Sequence, residues 1–68
     1  MKKEVINNIV GELRKEKNVT QEQLAESVGV TRQTIIALEK GNYTPSIALV
    51  LKLSIFFKRS VEEIFTLN

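Results

Sequence analysis

Apolar positions recur at helical spacing along most of this chain. Val5, Ile6, Ile9, Val10 and Leu13 fall three and four residues apart, which predicts a helix over about Glu4 to Lys17. Leu24, Ala25 and Val28 share one face of a second helix, about Gln21 to Val28. Ile35 and Leu38 share one face of a third, about Arg32 to Lys40. The stretch from Ser46 to Phe57 is apolar on many sides and predicts a fourth. Ser60-Val61-Glu62-Glu63 reads as a capping box that opens a short fifth helix. No convincing alternating-strand pattern interrupts this reading, and the tail from Phe65 to Asn68 either frays or adds a short strand. The pattern therefore predicts an all-α domain of five helices with a possible short C-terminal strand.

The residues between helices sharpen the picture. Thr20 is placed to cap the second helix and Thr31 the third, with Val30 stapling onto Ile35. Gly29 between them can take the left-handed conformation that ends one helix and redirects the chain. Gly41 stops the third helix, and Asn42-Tyr43-Thr44-Pro45 is the loop before the fourth. A helix, a tight glycine turn and a second helix with polar residues at its start, over about 20–41, make the layout of a DNA-reading helix-turn-helix.

Stepping 100° per residue, with Ile35 and Leu38 facing inward, puts Gln33, Ile36, Ala37 and Lys40 on the outer face of helix 3, flanked by Arg32. Arg can bond guanine, and Gln adenine, in a bidentate manner; Ile36 and Ala37 can touch thymine methyl groups. A merely solvated face accounts for Gln33 and Lys40 but leaves Ile36 unexplained. Gln21 opens helix 2, where free backbone N–H groups favour an anion. Thr31 caps helix 3 with or without DNA, and Thr34 can reach a phosphate or a base. Lys40, Asn42 and Tyr43 follow helix 3 and can grip the phosphate backbone, although the Tyr43 ring could instead cover the core.

Composition sets the bounds. Sixty-eight residues allow one domain, 1–68, and a chain this short buries only about 60% of its unfolded surface, so a partner subunit would help. The net charge of +2 is a weak argument, and on charge alone a mixed solvated surface fits as well. The distribution says more: Arg32, Lys40, Lys52, Lys58 and Arg59 stand against Glu39 between Val28 and Val61, which suits a phosphate backbone. No apolar run approaches the roughly 20 residues of a membrane span, and MKKEVINN is not a secretory signal. The chain has no His, Cys or Asp, so its serines have no His to activate them. An enzyme, a metal site, a cofactor and a small-molecule ligand are therefore not expected.

Together, Leu13-Arg14, Thr20-Gln21-x-x-Leu24-Ala25, Gly29-Val30-Thr31, Ile35, Leu38-Glu39-x-Gly41, Pro45-Ser46 and Val61-Glu62-Glu63-Ile64-Phe65 span nearly the whole chain. In this order and spacing they resemble the phage-repressor-like helix-turn-helix family, also called Xre, in its short stand-alone form such as the cytolysin repressor. The resemblance implies a five-helix, lambda-repressor-like domain that binds operator DNA, normally as a homodimer. It implies that Gln21 touches a phosphate and that Arg14 pairs with Glu39 inside the domain, linking helix 1 to helix 3. Arg14 could also, or instead, contact phosphate, since guanidinium has five donors. One departure is Lys58-Arg59, where the family often has Gly or Asn and then an apolar residue; it puts the turn before helix 5 in question.

Helix 4 carries more apolar residues than one core face needs. Ile47, Val50, Leu51, Ser54 and Phe57 would suffice, which leaves Leu49, Ile55 and Phe56 over. A second subunit is the expected cover, with Ile64, Phe65 and Leu67 contributing; helix 1 or the tail folding over them is the alternative. The expected function is a cytoplasmic, prokaryotic or phage, sequence-specific regulator of transcription. It would be a repressor that binds an inverted-repeat operator in double-stranded DNA. The alternative is an antitoxin-like module whose main partner is a protein and whose DNA binding is autoregulatory.

Overall fold

The computed structural model describes residues 6–67. In chain order they form β1 (Ile6–Asn8), α1 (Val10–Glu16), α2 (Gln21–Val28), α3 (Arg32–Glu39), α4 (Ile47–Phe57), α5 (Val61–Ile64) and β2 (Phe65–Leu67). α2 to α5 fall where the periodicity places them and α1 covers only the second half of its expected span, and the domain is mostly helical, not strictly all-α. β1 and β2 pair antiparallel, with Ile6 opposite Leu67, Asn7 opposite Thr66 and Asn8 opposite Phe65. The tail thus takes the strand option.

The first helix begins later than expected. Its predicted start at Glu4 and Val5 lies outside the described residues, but Ile6–Asn8 is strand and the helix opens only at Val10. Two bonds account for the boundary. Asn8 Oδ1 accepts from Val10 N at 3.0 Å, and Ile9 N donates to Ile64 O at 3.0 Å. The backbone here is committed to the far end of the chain. Apolar spacing at Ile6, Ile9 and Leu13 fits a helix, but the pairing that overrides it spans almost the whole sequence and leaves no local periodic trace.

The core is one cluster: Val10 and Leu13 from α1; Leu24, Ala25 and Val28 from α2; Ile35 and Leu38 from α3; Leu49, Leu53 and Phe57 from α4; and Ile64 from α5. Burying a side chain such as Leu24 or Leu53 contributes roughly 1.5–3 kcal/mol. The inward face of α4 differs from the expected one. Leu49, Leu53 and Phe57 point in, whereas Ile47 and Leu51 point out at 78% and 52% exposure, and Val50 and Ser54 are half-buried. On a helix this apolar, two stripes a quarter-turn or more apart satisfy the same period, and only the packing against α2 and α5 decides between them.

Each of the four longer helices stops on a left-handed residue: Asn18 (φ 58°), Gly29 (φ 75°), Gly41 (φ 80°) and Lys58 (φ 56°). In each case the next residue's N–H reaches back to a carbonyl of the last turn: Val19 to Arg14, Val30 to Ala25, Asn42 to Ala37 and Arg59 to Ser54. The turn before α5 therefore closes normally despite Lys58-Arg59. The same turn after α2 places α3 across it.

Candidate nucleic-acid interface

Thr20 and Thr31 cap α2 and α3 as the sequence implies. Thr20 Oγ1 accepts from Gln23 N at 3.0 Å while the Gln23 side chain accepts from Thr20 N at 2.9 Å. Thr31 Oγ1 accepts from Thr34 N at 3.3 Å and shares a hydrogen bond with the Thr34 hydroxyl at 3.1 Å. Thr34 therefore reinforces the cap in this structure, with its side chain half-buried.

Helix α3 buries Ile35 and Leu38 and leaves Arg32, Gln33 and the following Lys40 exposed, with Ile36 and Ala37 half-buried between them. Gln33, Ile36, Ala37 and Lys40 recur at three- and four-residue spacing, so they form one outward strip. Asn42 and Tyr43 are exposed in the loop after it, Tyr43 at 41%, so its ring does not close the core. The apolar centre of the strip, flanked by cationic and amide side chains, can meet both edges and methyl groups of bases.

Beneath this strip lies a junction of three helices. Arg14 of α1 donates through Nε to Glu39 Oε2 at 2.7 Å and through Nη2 to Glu39 Oε1 at 3.2 Å. Its Nη1 donates to Val19 O at 2.9 Å. The pair is nearly shielded, with side chains 12% and 13% exposed. The bond to Glu39 holds the Arg14 guanidinium above its ordinary pKa, against the opposing pull of burial, so it remains charged. Pairing also removes the negative charge of Glu39, the only acid on α3, from the exterior, so the outer strip is net positive through Arg32 and Lys40. Arg14 spends all three nitrogens inside the domain.

Gln21 is expected at a phosphate, yet its side chain is half-buried and its Nε2 donates to Glu39 Oε1 at 3.2 Å. Two residues with structural roles escape the sequence reading. Asn8 donates through Nδ2 to Leu38 O at 2.9 Å, tying the entry of α1 to the end of α3. An Asn just before an apolar run is a readable capping signal. Gly11 lies against Glu39: a Cβ there would sit 3.3 Å from Glu39 Oε1. A glycine inside a helical pattern signals such close packing.

The residues expected at a subunit interface divide into three groups. Leu49 and Ile64 are 3% and 1% exposed and belong to the core of a single chain. Phe56 and Phe65 are half-buried against that core, Phe56 with its ring 5.1 Å from that of Phe57 and under the Lys17 ammonium. Ile55 and Leu67 are outward at 77% and 65%. With Ile47 and Leu51, Ile55 forms a stripe at four-residue intervals along α4. Among the described residues no helix is long and apolar enough to cross a membrane.

Comparison with known proteins follows the same outline. A helix-turn-helix family model matches residues 10–64, from the first residue of α1 to the last of α5. An HTH-type transcriptional regulator of Methanothermobacter thermautotrophicus is 52% identical over 64 residues, covering 93% of each chain. The cryptic phage CTXphi transcriptional repressor RstR of Vibrio cholerae is 34% identical over 55 residues, 81% of this chain and 50% of its own. The crystal structure of the restriction-modification controller protein C.AhdI from Aeromonas hydrophila superposes with a TM-score of 0.73 at 31% identity, covering 79% of this chain and 82% of that one.

Proposed function

This chain belongs to the Xre-type helix-turn-helix family, and from that premise we propose that it is a sequence-specific regulator of transcription that binds double-stranded DNA through α3. The observation that carries this reading is the outer strip of α3: Arg32, Gln33 and Lys40 exposed around Ile36 and Ala37, with Glu39 turned inward and neutralised by Arg14. Seated in a major groove, Arg32 and Gln33 read base edges and Thr34, Ile36 and Ala37 line the close approach. Gln21, Thr31, Lys40, Asn42 and Tyr43 serve the phosphates, with Arg14 acting behind them. The sign of regulation is repression, in keeping with the similarity to RstR.

The acting unit is a homodimer. Ile47, Leu51 and Ile55 form an exposed apolar stripe that is symmetric about Leu51. A two-fold axis through Leu51 sets Ile47 of one copy against Ile55 of the other, so the surface is complementary to itself. Leu67 is a second exposed apolar residue available to the interface, and Phe56 and Phe65 are half-buried against the core.

Selection of bound sequences from a random duplex pool tests the reading. The expected result is an approximate inverted repeat. Gln33→Ala or Arg32→Ala should cost about 1–3 kcal/mol and relax preference at one base step per half-site. A selected sequence pattern left unchanged by both substitutions would sink the assignment of α3 as the reading helix.

A further inference from the structure

We propose that Glu39 is a positioning residue for DNA binding: it holds the Gln21 carboxamide in the orientation from which Gln21 bonds a phosphate. This rests on the proposed function above and adds a residue that touches no DNA itself. A free glutamine at a helix start has several rotamers and an amide that can flip, presenting either its oxygen or its nitrogen to an anion. Only the nitrogen is useful there, because the carbonyl oxygen repels phosphate.

The structure removes that ambiguity. Gln21 Nε2 donates to Glu39 Oε1 at 3.2 Å, so the nitrogen end of the amide is fixed. The amide nitrogen carries two hydrogens, and the second is left for a phosphate oxygen beside the start of α2. Glu39 is itself held on several sides. Arg14 holds both of its oxygens, at 2.7 Å and 3.2 Å, and Gly11 closes on the same Oε1 so tightly that a Cβ would stand 3.3 Å away. The chain of restraint runs from α1 through Glu39 of α3 to Gln21 of α2. It fixes the phosphate-binding amide relative to the reading helix. The benefit is pre-organisation: the rotamer is ordered before DNA arrives and its entropy is not lost on binding.

A double-mutant cycle on the selected duplex tests this, with folding of every variant verified by urea unfolding. Gln21→Ala should weaken binding about tenfold, as loss of a charge-assisted hydrogen bond does. Glu39→Ala should weaken it by a similar factor, and the double variant should be no weaker than either single one. Since Glu39→Ala strands a shielded Arg14, the paired replacement Arg14→Met with Glu39→Leu supplies a second background that keeps the junction apolar and folded. In that background Gln21→Ala should again cost nothing further. The Gln21 side-chain amide protons give an independent signature. Their two resonances should be widely split in the wild-type protein and collapse toward free-amide values in the paired replacement, while the core methyl resonances stay dispersed. If Gln21→Ala costs its full factor in both backgrounds, binding stands and the positioning role is overturned. A wild-type chain with no selected duplex at all would remove the DNA-binding reading and this inference with it.

Discussion

Lys58 ends α4 in the left-handed region at φ 56°, where Gly29 and Gly41 end α2 and α3. A residue with a Cβ pays roughly 1–2 kcal/mol there, which glycine avoids at the cost of a more flexible unfolded chain. Lys58→Gly should therefore stabilise the domain by about 0.5–1 kcal/mol net, whereas Lys58→Ala should not. Urea unfolding of the three proteins checks it, and equal midpoints for Gly and Ala would refute the strain. Gly11 poses the opposite test. It lies inside α1, where Gly→Ala normally gains about 1 kcal/mol in helix propensity. At this site the new Cβ would press on Glu39, which three hydrogen bonds hold in place. Gly11→Ala should yield no gain in stability, and a full gain would show that Glu39 yields freely.

At the scale of elements, short helices depend on their caps. Helix α5 spans only Val61–Ile64, too short to persist alone, and it contributes Ile64 to the core. Ser60 Oγ accepts from Glu63 N at 3.2 Å, and Glu63 Oε1 accepts from Ser60 N at 2.8 Å. Ser60→Ala should cost about 1 kcal/mol, measured by urea unfolding. The backbone and side-chain hydrogen bonds of Ser60 hold the Glu63 carboxyl below the ordinary glutamate range, with Arg59 assisting. A group depressed on folding contributes stability that is present above its unfolded pKa and lost as pH falls through its folded one. The cap therefore weakens on acidification, not in base. Carboxyl titration followed by NMR should place Glu63 below a free glutamate, and Ser60→Ala should move it only part of the way back, because the backbone N–H of residue 60, the larger cause, is kept. No movement would assign the whole shift to the backbone N–H, and a full return would assign it to the hydroxyl.

For the whole molecule, the proposed function requires the stripe of α4 and the strip of α3 to act together. Sedimentation at micromolar concentration should show about twice the 7.7 kDa chain mass. Leu51→Glu, at the centre of the stripe and outside the core, should give a folded monomer; Phe56 would be a poorer probe because it packs on the core. Two copies of α3 on one face of a duplex should meet successive major grooves about 34 Å apart, or 10–10.5 base pairs. Five base pairs inserted at the operator centre turn one half-site to the far side of the helix. Affinity for that duplex should fall to the level of the Leu51→Glu monomer on a single half-site. Undiminished binding would mean that one copy suffices. Affinity should also decline with salt if Lys40 and the other cations near α3 displace counterions from phosphates as proposed.

Local chemistry determined most of what the sequence alone reveals. The helices, the caps at Thr20, Thr31 and Ser60, and the turns at Gly29 and Gly41 depend on residues within a few positions of one another, so their signatures are short-range and legible. The outward strip of α3 was legible for the same reason: one face is apolar enough to be core, and the rest follows by rotation. The Arg14–Glu39 pair was legible only through family resemblance, because the two residues lie 25 apart and no periodicity links them. Tertiary structure alone decided three things. It paired Ile6–Asn8 with Phe65–Leu67, strands too short to show alternation. It turned Leu49, Leu53 and Phe57 of α4 inward and Ile47, Leu51 and Ile55 outward. A helix apolar on nearly every side carries no internal preference, and its neighbours choose. It also brought Gln21 to Glu39, where the acid's position was already set by Arg14 on a third helix.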